Sequence, residues 1–380
     1  MTSSTTAPSA SRRRGAPRET AGVRREPGTA LSGRAGGPSV SASTGRSRRR
    51  KLILALAVGV GALAVLAVLS VFVGTRALAP SEVWQAIIAH DPTNGVHLVV
   101  TELRLPRTAL AILVGAALGV AGTIMQALTR NPLAEPGILG VNAGAAAATA
   151  TGIGLFGGSL GTFGLIGFSF LGAALASVAV AGLGGIFRRG ADPVRLVLAG
   201  AALAVTLGAY TQALLINFPE VFDTFRHWAV GSVQGRDGTL VLPATLLIVP
   251  AIIVAALLGR QFNATALGSD LGRTLGADPR RTLWAGAVLL VLLAGTATAV
   301  AGPIAFVGLT APLAVRLLVG PDYRWIIPLS AVYAAVLVIG ADIIGRILLP
   351  PTELETSIVT ALIGAPVFIL LARRRRLMRL

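Results

Sequence analysis

Residues 48–73 read RRRKLILALAVGVGALAVLAVLSVFV, in which a run of cations ends at Lys51 and the next 22 residues carry no charge. A helix needs roughly 20 apolar residues to cross the hydrocarbon core of a bilayer. The stretch therefore predicts a membrane-spanning helix. A secretory signal peptide is the alternative, but its apolar part usually has about 7 to 15 residues, and Pro80 follows the small residues at which cleavage would fall. We therefore expect a first span that is retained.

The whole chain has the composition of a protein with many such spans. Of its 380 residues 54% are hydrophobic and 13% are charged, with a mean hydropathy of +0.76, whereas about a quarter of the residues are charged in soluble domains. The sequence predicts an all-α polytopic membrane protein with about ten transmembrane helices. The predicted spans are Leu52–Val73, Thr108–Leu128, Ile138–Phe156, Thr162–Phe187, Leu196–Ile216, Leu240–Leu258, Leu283–Ala301, Pro303–Val319, Ile326–Ile344 and Ser357–Ala372.

The N-terminal segment, residues 1–51, has a different composition. It carries twelve Arg or Lys against two Glu and is rich in Ser, Thr, Gly and Pro. Such a segment cannot bury enough apolar surface to offset the entropy lost on ordering, so we expect a disordered basic cytoplasmic tail, followed by a transmembrane domain over residues 52–380. Binding to nucleic acid is the alternative for this tail, but it has no aromatic residues on which bases would stack.

The positions of the cations predict the orientation of the chain. If the N-terminus is cytoplasmic, ten spans return the C-terminus to the same side, and 27 of the 33 Arg and Lys residues then lie inside. This distribution follows the positive-inside rule. The sequence thus predicts a multi-pass protein of the cell membrane with both termini in the cytoplasm.

Several kinds of chemistry are excluded by composition. The chain has no cysteine, so it has no disulfides and no thiolate sites. Its one lysine, Lys51, lies outside any glycine-rich loop, so the chain cannot bind ATP through a Walker motif. Three scattered histidines do not suggest a histidine-built metal centre. We therefore expect no catalytic residues, no bound metal and no directly bound cofactor.

Two other functions, hydrolysis within the membrane and proton-coupled transport, would each need particular polar residues. A membrane-embedded hydrolase would need a serine and a histidine that meet, and His227 with Ser232 is the nearest pair, beside the interfacial aromatic Trp228. A proton-coupled secondary transporter would use a buried acid, for which Asp342 is the best candidate. Asp342 also precedes Arg346 by four residues, the spacing of a local ion pair on a helix.

Seven ordered motifs over roughly residues 52–376 carry a family resemblance. They are RLPR (104–107), MQALTRNPLAEPGILGVNAGA (125–145), ALGSDLGRTLG (266–276), GPIAFVGLTAP (302–312), RLLVGPDYRWIIPLSA (316–331), ADIIGR (341–346) and TALIGAP (360–366). Together they resemble the transmembrane permease subunit of ABC importers for iron siderophores, haem and cobalamin, the FecCD type. Two features depart from the usual motifs: Leu313 stands where the family usually has His, and Thr356-Ser357 stand where it often has Val-Gly.

The resemblance implies a type II ABC importer permease and its partners. It implies a dimer of permease subunits, identical or paralogous, around a central path through the lipid bilayer. An extracytoplasmic binding protein would deliver a ferric siderophore or a haem- or cobalamin-type chelate, and two separate ATPase subunits would bind ATP and Mg²⁺. No nucleic acid partner is implied.

The resemblance also implies roles for particular residues. The outside arginines Arg104, Arg107 and Arg346 would dock the binding protein, although Asp342 and Glu102 offer Arg346 and Arg104 local partners instead. The segment that would couple to the ATPase contains Ala266, Leu267, Gly268, Leu271, Gly272, Leu275 and Gly276, whose leucines form an i, i+4, i+8 stripe. Residues expected to pack helices or to line the path are Gly115, Gly119, Asn131, Pro132, Glu135, Pro136, Gly137, Asn142 and Gly144.

Overall fold

The computed structural model describes residues 43–74, 78–185, 193–266, 268–274 and 278–373, and every regular element in these ranges is helical. The α-helices are α1 (Ser43–Phe72), α2 (Pro80–Ile88), α3 (Gly95–Leu98), α4 (Leu105–Thr129), α5 (Val141–Phe156), α6 (Gly161–Leu183), α7 (Pro193–Asn217), α8 (Pro219–Ala229), α9 (Val241–Leu257), α10 (Gly259–Ala266), α11 (Ser269–Thr274), α12 (Pro279–Ala301), α13 (Val307–Val319), α14 (Tyr323–Leu348) and α15 (Thr356–Ala372). A π-helical turn, Val99–Arg104, joins α3 to α4.

Ten of these helices are apolar and correspond to the predicted spans. Seven are long and apolar enough to cross a membrane: α1, α4 with the turn before it, α6, α7, α9, α12 and α14. Three shorter apolar helices, α5, α13 and α15, complete the set within the described ranges. Each predicted span overlaps one of the ten, and the predicted all-α polytopic fold is confirmed.

Two of the shorter helices begin later than the sequence predicted. The chain enters α5 through a 3₁₀ turn that ends at Gly140, where φ is +73°, so the helix starts at Val141 and not at Ile138. Between α12 and α13 the chain turns at Gly302 and Phe306, both with positive φ, so α13 starts at Val307 and not at Pro303. The apolar run around Ala301 therefore forms two separate helices.

Helix α4 lies at the centre of the bundle, packed against α12, α13 and α14. Glycines make this approach possible: a Cβ on Gly115 would lie 2.6 Å from Ala335 Cα, and one on Gly119 would overlap the carbonyl oxygen of Ser330 on α14. Gly122 meets the backbone of Gly308 on α13 in the same way. The hydrophobic effect does not drive helices together within lipid. Close backbone packing of this kind therefore holds the central helices together.

The predicted tail lies almost wholly outside the described residues. Residues 1–42 and 374–380 are not described, and the predicted boundary at residue 51 falls inside α1, whose first residue is Ser43. The tail and its disorder therefore stay a prediction.

Candidate functional site

The three predicted docking arginines come together at one end of the bundle, where Arg107 and Arg346 bind the carboxylate of Asp342. Arg107 Nε lies 3.1 Å from both oxygens of Asp342, and its Nη2 lies 2.8 Å from Oδ1. Arg346 pairs with Oδ2 of Asp342 from one turn further along α14. Thr356 Oγ1 donates a third contact to Asp342 Oδ1 at 3.2 Å. Asp342 is 1% exposed, so this carboxylate is neutralised inside the protein.

Arg104 and Arg346 also bind the end of α1. Arg346 Nη1 donates to the carbonyl oxygens of Ser70 at 2.6 Å and Val73 at 3.0 Å. Arg104 Nη1 donates to the carbonyl oxygens of Val71 and Phe72, both at 2.9 Å. The last carbonyls of a helix have no partners within it and carry partial negative charge. The two guanidinium groups therefore cap α1 and attach it to α4 and α14.

Glu353 occupies the more accessible side of this group. Its carboxylate forms an ion pair with Arg107 Nη1 at 2.7 Å, and the two side chains are 11% and 13% exposed, whereas Arg104 and Arg346 are buried. We call Arg104, Arg107, Arg346, Asp342 and Glu353 the arginine cluster. Three arginines and two acids give it a net charge of +1.

Sequence reasoning found part of the arginine cluster. The spacing of Asp342 and Arg346 predicted their local pair, which the structure contains. The pairing of Arg107 with Asp342 joins residues 235 positions apart, and no sequence signal pointed to it or to Glu353. The local partner considered for Arg104 was Glu102, whereas Arg104 Nη1 donates hydrogen bonds to two carbonyl oxygens of α1.

The residues predicted to pack helices or to line a path lie in several parts of the bundle. Glu135, Pro136, Gly137 and Asn142 line a small cavity in the bundle together with Thr298 and Gly308. Asn131 and Pro132 lie in the turn that follows α4, where Asn131 Oδ1 accepts a hydrogen bond from the backbone N–H of Leu133. Gly144 packs α5 against α6, since a Cβ there would overlap the carbonyl oxygen of Gly172.

The cavity lies where two interruptions of the helices meet. The segment 130–140 separates α4 from α5, and the segment 302–306 separates α12 from α13. The backbone N–H of Phe306 donates to Glu135 Oε1 at 3.2 Å, and Thr298 Oγ1 donates to Asn142 Oδ1 at 3.2 Å. Non-helical backbone inside a membrane bundle is tolerated where it is buried in protein or lines a cavity, and these two segments meet that condition.

The predicted coupling segment forms short helices. Ala266 ends α10, and α11 contains Leu271 and Gly272; Gly268 lies between the two helices with φ at +110°. A Cβ on Gly272 would lie 3.1 Å from the carbonyl oxygen of Ala264, so α11 folds back against α10. The remaining members, Leu267, Leu275 and Gly276, lie outside the described residues.

The residues considered for a hydrolase do not form a catalytic pair in this fold. Ser232 Oγ accepts a hydrogen bond from the backbone N–H of Gln234 at 3.1 Å, while His227 is exposed on α8. Within the described ranges, no group of three or more His, Cys, Asp or Glu side chains is placed to hold a metal ion. The fold and these contacts define a polytopic helical bundle. Two irregular segments between its helices, 130–140 and 302–306, lie in its interior.

Comparison with known proteins identifies the family. The model of the FecCD transport family matches residues 62–374. The chain is 41% identical over 314 residues to the iron(3+)-hydroxamate import system permease protein FhuB of Bacillus subtilis (strain 168), covering 83% of this chain and 81% of FhuB. It is 42% identical over 316 residues to the ferric enterobactin transport system permease protein FepD of Escherichia coli (strain K12), covering 82% of this chain and 93% of FepD. The chain belongs to the FecCD transport family.

A solved structure supports the same assignment. A metal-chelate type ABC transporter in an inward-facing conformation superposes with a TM-score of 0.73 and 25% sequence identity, covering 85% of this chain and 99% of the other. The protein is thus a multi-pass membrane permease subunit of the ABC importer type, and ATP hydrolysis belongs to partner ATPases. The hydrolase and secondary-transporter alternatives do not fit this family.

Proposed function

We propose that the chain is the permease of an ATP-driven importer for a ferric siderophore or a related iron chelate. The observation that carries this proposal is the 41–42% identity to permeases of ferric hydroxamate and ferric enterobactin over more than four fifths of the chain. Hemin and ferric citrate permeases are also relatives, at 34% and 37% identity. Ferric catecholate or hydroxamate chelates are therefore the first substrates to test.

Uptake of ⁵⁵Fe-labelled chelates by a deletion strain tests this function. Cells that lack the gene should lose uptake of one chelate out of a panel of hydroxamate, catecholate, citrate and haem iron, and the gene on a plasmid should restore it. Addition of vanadate, which blocks ABC ATPases, should abolish the restored uptake, whereas a protonophore at constant ATP should not. Unchanged uptake of every chelate in the deletion strain would refute the assignment to iron import.

We propose that both termini lie in the cytoplasm and that the arginine cluster lies on the outer face. The cation distribution supports this orientation, since 27 of 33 Arg and Lys would then be inside. The chain has no cysteine, so single cysteines report sidedness directly. A cysteine at Gly268 should react with a membrane-impermeant maleimide only after the cells are opened, and labelling from outside would reverse the topology.

We propose that α7 faces a second permease subunit. In a single chain α7 is largely exposed, and Thr206, Tyr210 and Gln212 are among its exposed residues. Helix α1 is equally exposed but presents apolar side chains such as Val58, as expected for contact with lipid. Polar side chains on a spanning helix normally face protein or a water-filled path. Covering by a second copy, with a path between the two, satisfies that rule.

Cross-linking on the cysteine-free background tests this arrangement. Gln212→Cys should form a dimer on oxidation or with a short bis-maleimide in native membranes. Val58→Cys is the matched control on an exposed spanning helix and should not. Equal cross-linking at the two positions would contradict the proposed interface.

We propose that the arginine cluster, through Arg104, Arg107 and Arg346, is where the binding protein docks. Its support is the family resemblance of the motifs RLPR (104–107) and ADIIGR (341–346), together with the net charge of +1 within the arginine cluster itself. Arg107 is the member that reaches the surface, while Arg104 and Arg346 hold the ends of α1, α4 and α14 in position beneath it. Charged contacts at such a surface steer association and depend on salt.

The Arg107→Glu variant tests the docking role. It should weaken binding of the purified binding protein to the permease in nanodiscs and flatten the salt dependence of the association rate. Arg226→Glu, at an exposed arginine of α8 paired with Asp223, is the matched control. Equal affinities of the Arg107 variant and the wild type at low salt would remove the docking role.

We propose that the end of α10 and the helix α11, with the residues Ala266, Leu267, Gly268, Leu271, Gly272, Leu275 and Gly276, contact the ATPase. Their support is the leucine spacing in the sequence and the observed pair of short helices. Leu271→Glu should then reduce transport while the permease remains folded and dimeric. Normal assembly with the ATPase together with a normal transport rate would contradict this role.

A further inference from the structure

Helix α10 is hydrogen-bonded to the start of α14 through the side chain of Asn263. Its Nδ2 donates to Asp322 Oδ1 at 2.6 Å, and its Oδ1 accepts from the backbone N–H of Tyr323 at 2.8 Å. A carboxylate can only accept and a backbone N–H can only donate, so this pair of contacts fixes the orientation of the amide. Asp322 also caps α14 by accepting from the backbone N–H of Arg324 at 3.1 Å. Asn263 therefore bonds to the N-terminal cap of α14 itself.

Packing surrounds these hydrogen bonds. The ring of Phe262, which is fully buried, lies 6.2 Å from the ring of Tyr323. Arg316, near the end of α13, donates from Nη2 to the hydroxyl of Tyr323 at 2.6 Å. Gly259 lies so close to Arg324 that an added Cβ would be 3.1 Å from its Cα. The start of α14 is therefore held against α10 by packing as well as by hydrogen bonds.

Helix α14 runs from its contact with α10 to the opposite end of the bundle. Its 26 residues correspond to about 39 Å of α-helix. Near its other end α14 bears Asp342 and Arg346, two members of the arginine cluster. Between its ends it packs closely along α4 at Gly115 and Gly119, so the backbones of the two helices are in direct contact there.

We infer that Asn263 is a positioning residue that transmits movement between α10 and the arginine cluster through α14, and so links occupancy by the binding protein to the ATPase. This inference rests on the proposed function, in which the arginine cluster meets the binding protein and the segment that follows Asn263 meets the ATPase. It identifies the hydrogen-bonded joint between α10 and α14, made by Asn263, Asp322 and Tyr323, which lies outside the residues proposed to touch either partner. Coupling between two sites is reciprocal in binding free energy. Each partner should therefore lose its effect on the other when the joint is cut.

The test uses the assembled complex of permease and ATPase subunits in nanodiscs. Asn263→Ala removes both hydrogen bonds, and Asn263→Asp fills the same space but replaces the donor by a carboxylate facing Asp322. Gln261→Ala, at an exposed residue of the same helix, is the matched control. The measurements are ATPase subunits retained, basal ATP hydrolysis, its stimulation by substrate-loaded binding protein, and the change in binding-protein affinity when ATP is added.

Both Asn263 variants should retain assembly and basal hydrolysis. Stimulation by the binding protein, and the effect of ATP on binding-protein affinity, should each fall roughly fivefold or more, the lower end of typical allosteric coupling. Full stimulation in both variants would overturn the inference, and so would loss of the ATPase subunits, which would make Asn263 part of the docking face. A wild-type chain that binds neither partner would instead refute the proposed function.

Discussion

Replacing Asp342 by Asn is expected to lower the free energy of unfolding by about 3 to 5 kcal/mol, the usual cost of leaving a buried charge without its partner. Asp342 is 1% exposed and accepts contacts from Arg107, Arg346 and Thr356. Glu353 still neutralises Arg107 in the variant. The group left without a counter-ion is therefore Arg346, which is 2% exposed, and its desolvation sets the size of the loss.

Unfolding in mixed micelles measures this change. The protein in dodecyl maltoside is titrated with SDS, and the fluorescence of its four tryptophans reports the transition. Asp223→Asn is the control, because Asp223 and Arg226 form a pair whose side chains are 69% and 56% exposed. Exposed pairs contribute about 0 to 1 kcal/mol. The two aspartates thus differ in burial, and the expected losses differ accordingly.

A double variant shows whether the loss of stability in Asp342→Asn comes from the unpaired charge of Arg346 or from the lost hydrogen bonds. When Arg346→Met is added to Asp342→Asn, the cation that lost its counter-ion is removed as well, so the combined loss should be smaller than the sum of the single losses by at least about 1 kcal/mol. Additive losses, or an Asp342→Asn effect no larger than that of Asp223→Asn, would refute the reasoning that the arginine cluster is held by a neutralised buried carboxylate.

Three further predictions concern other contacts. Glu353→Gln removes the carboxylate that competes for Arg107, so binding-protein affinity measured by biolayer interferometry at low salt should rise severalfold. Gly122→Ala would place a methyl group against the backbone of Gly308 and should cost at least about 1 to 3 kcal/mol in the SDS titration. The pKa of Asp322 is about 2, below its ordinary 3.8, mainly through side-chain hydrogen bonds from an adjacent arginine. Because folding lowers this pKa, the ionised Asp322 carboxylate stabilises the folded protein above about pH 4. This contribution to the free energy of unfolding should be lost as the pH falls towards 2.

Each of these three has its own control. Gly167→Ala adds a methyl group that meets nothing within 4 Å, so its effect should stay within about 0.5 kcal/mol; an equal effect at Gly122 would contradict the close helix approach. Arg107→Glu and Glu353→Gln should shift affinity in opposite directions, and a shared direction would contradict the competition. Asp322→Asn should show a smaller acid-induced loss of stability between pH 4 and 2 than the wild type, and equal losses would assign the effect to other groups.

The spans themselves were predictable from sequence because the bilayer imposes them locally. Each stretch such as Leu52–Val73 must satisfy its own backbone polar groups in hydrocarbon, and only a helix of sufficient length does so. The prediction overlaps all ten apolar helices for that reason. The helix starts at Ile138 and Pro303 were wrong by a few residues, because the turns at Gly140 and Phe306 depend on backbone conformations that apolar composition does not report.

The polar side chains likewise have two kinds of partner, those nearby on the same helix and those on another helix. Asp342 and Arg346 are four residues apart on one helix, so their pairing is a local property that the sequence by itself determined. The pairing of Arg107 with Asp342, and of Asn263 with Asp322, depends on which helices pack against each other. In lipid that choice is made by the close fit of small residues over whole helix surfaces and not by any local pattern. Only the tertiary structure therefore decided that the carboxylate of Asp342 binds two arginines and that Asn263 binds the start of α14.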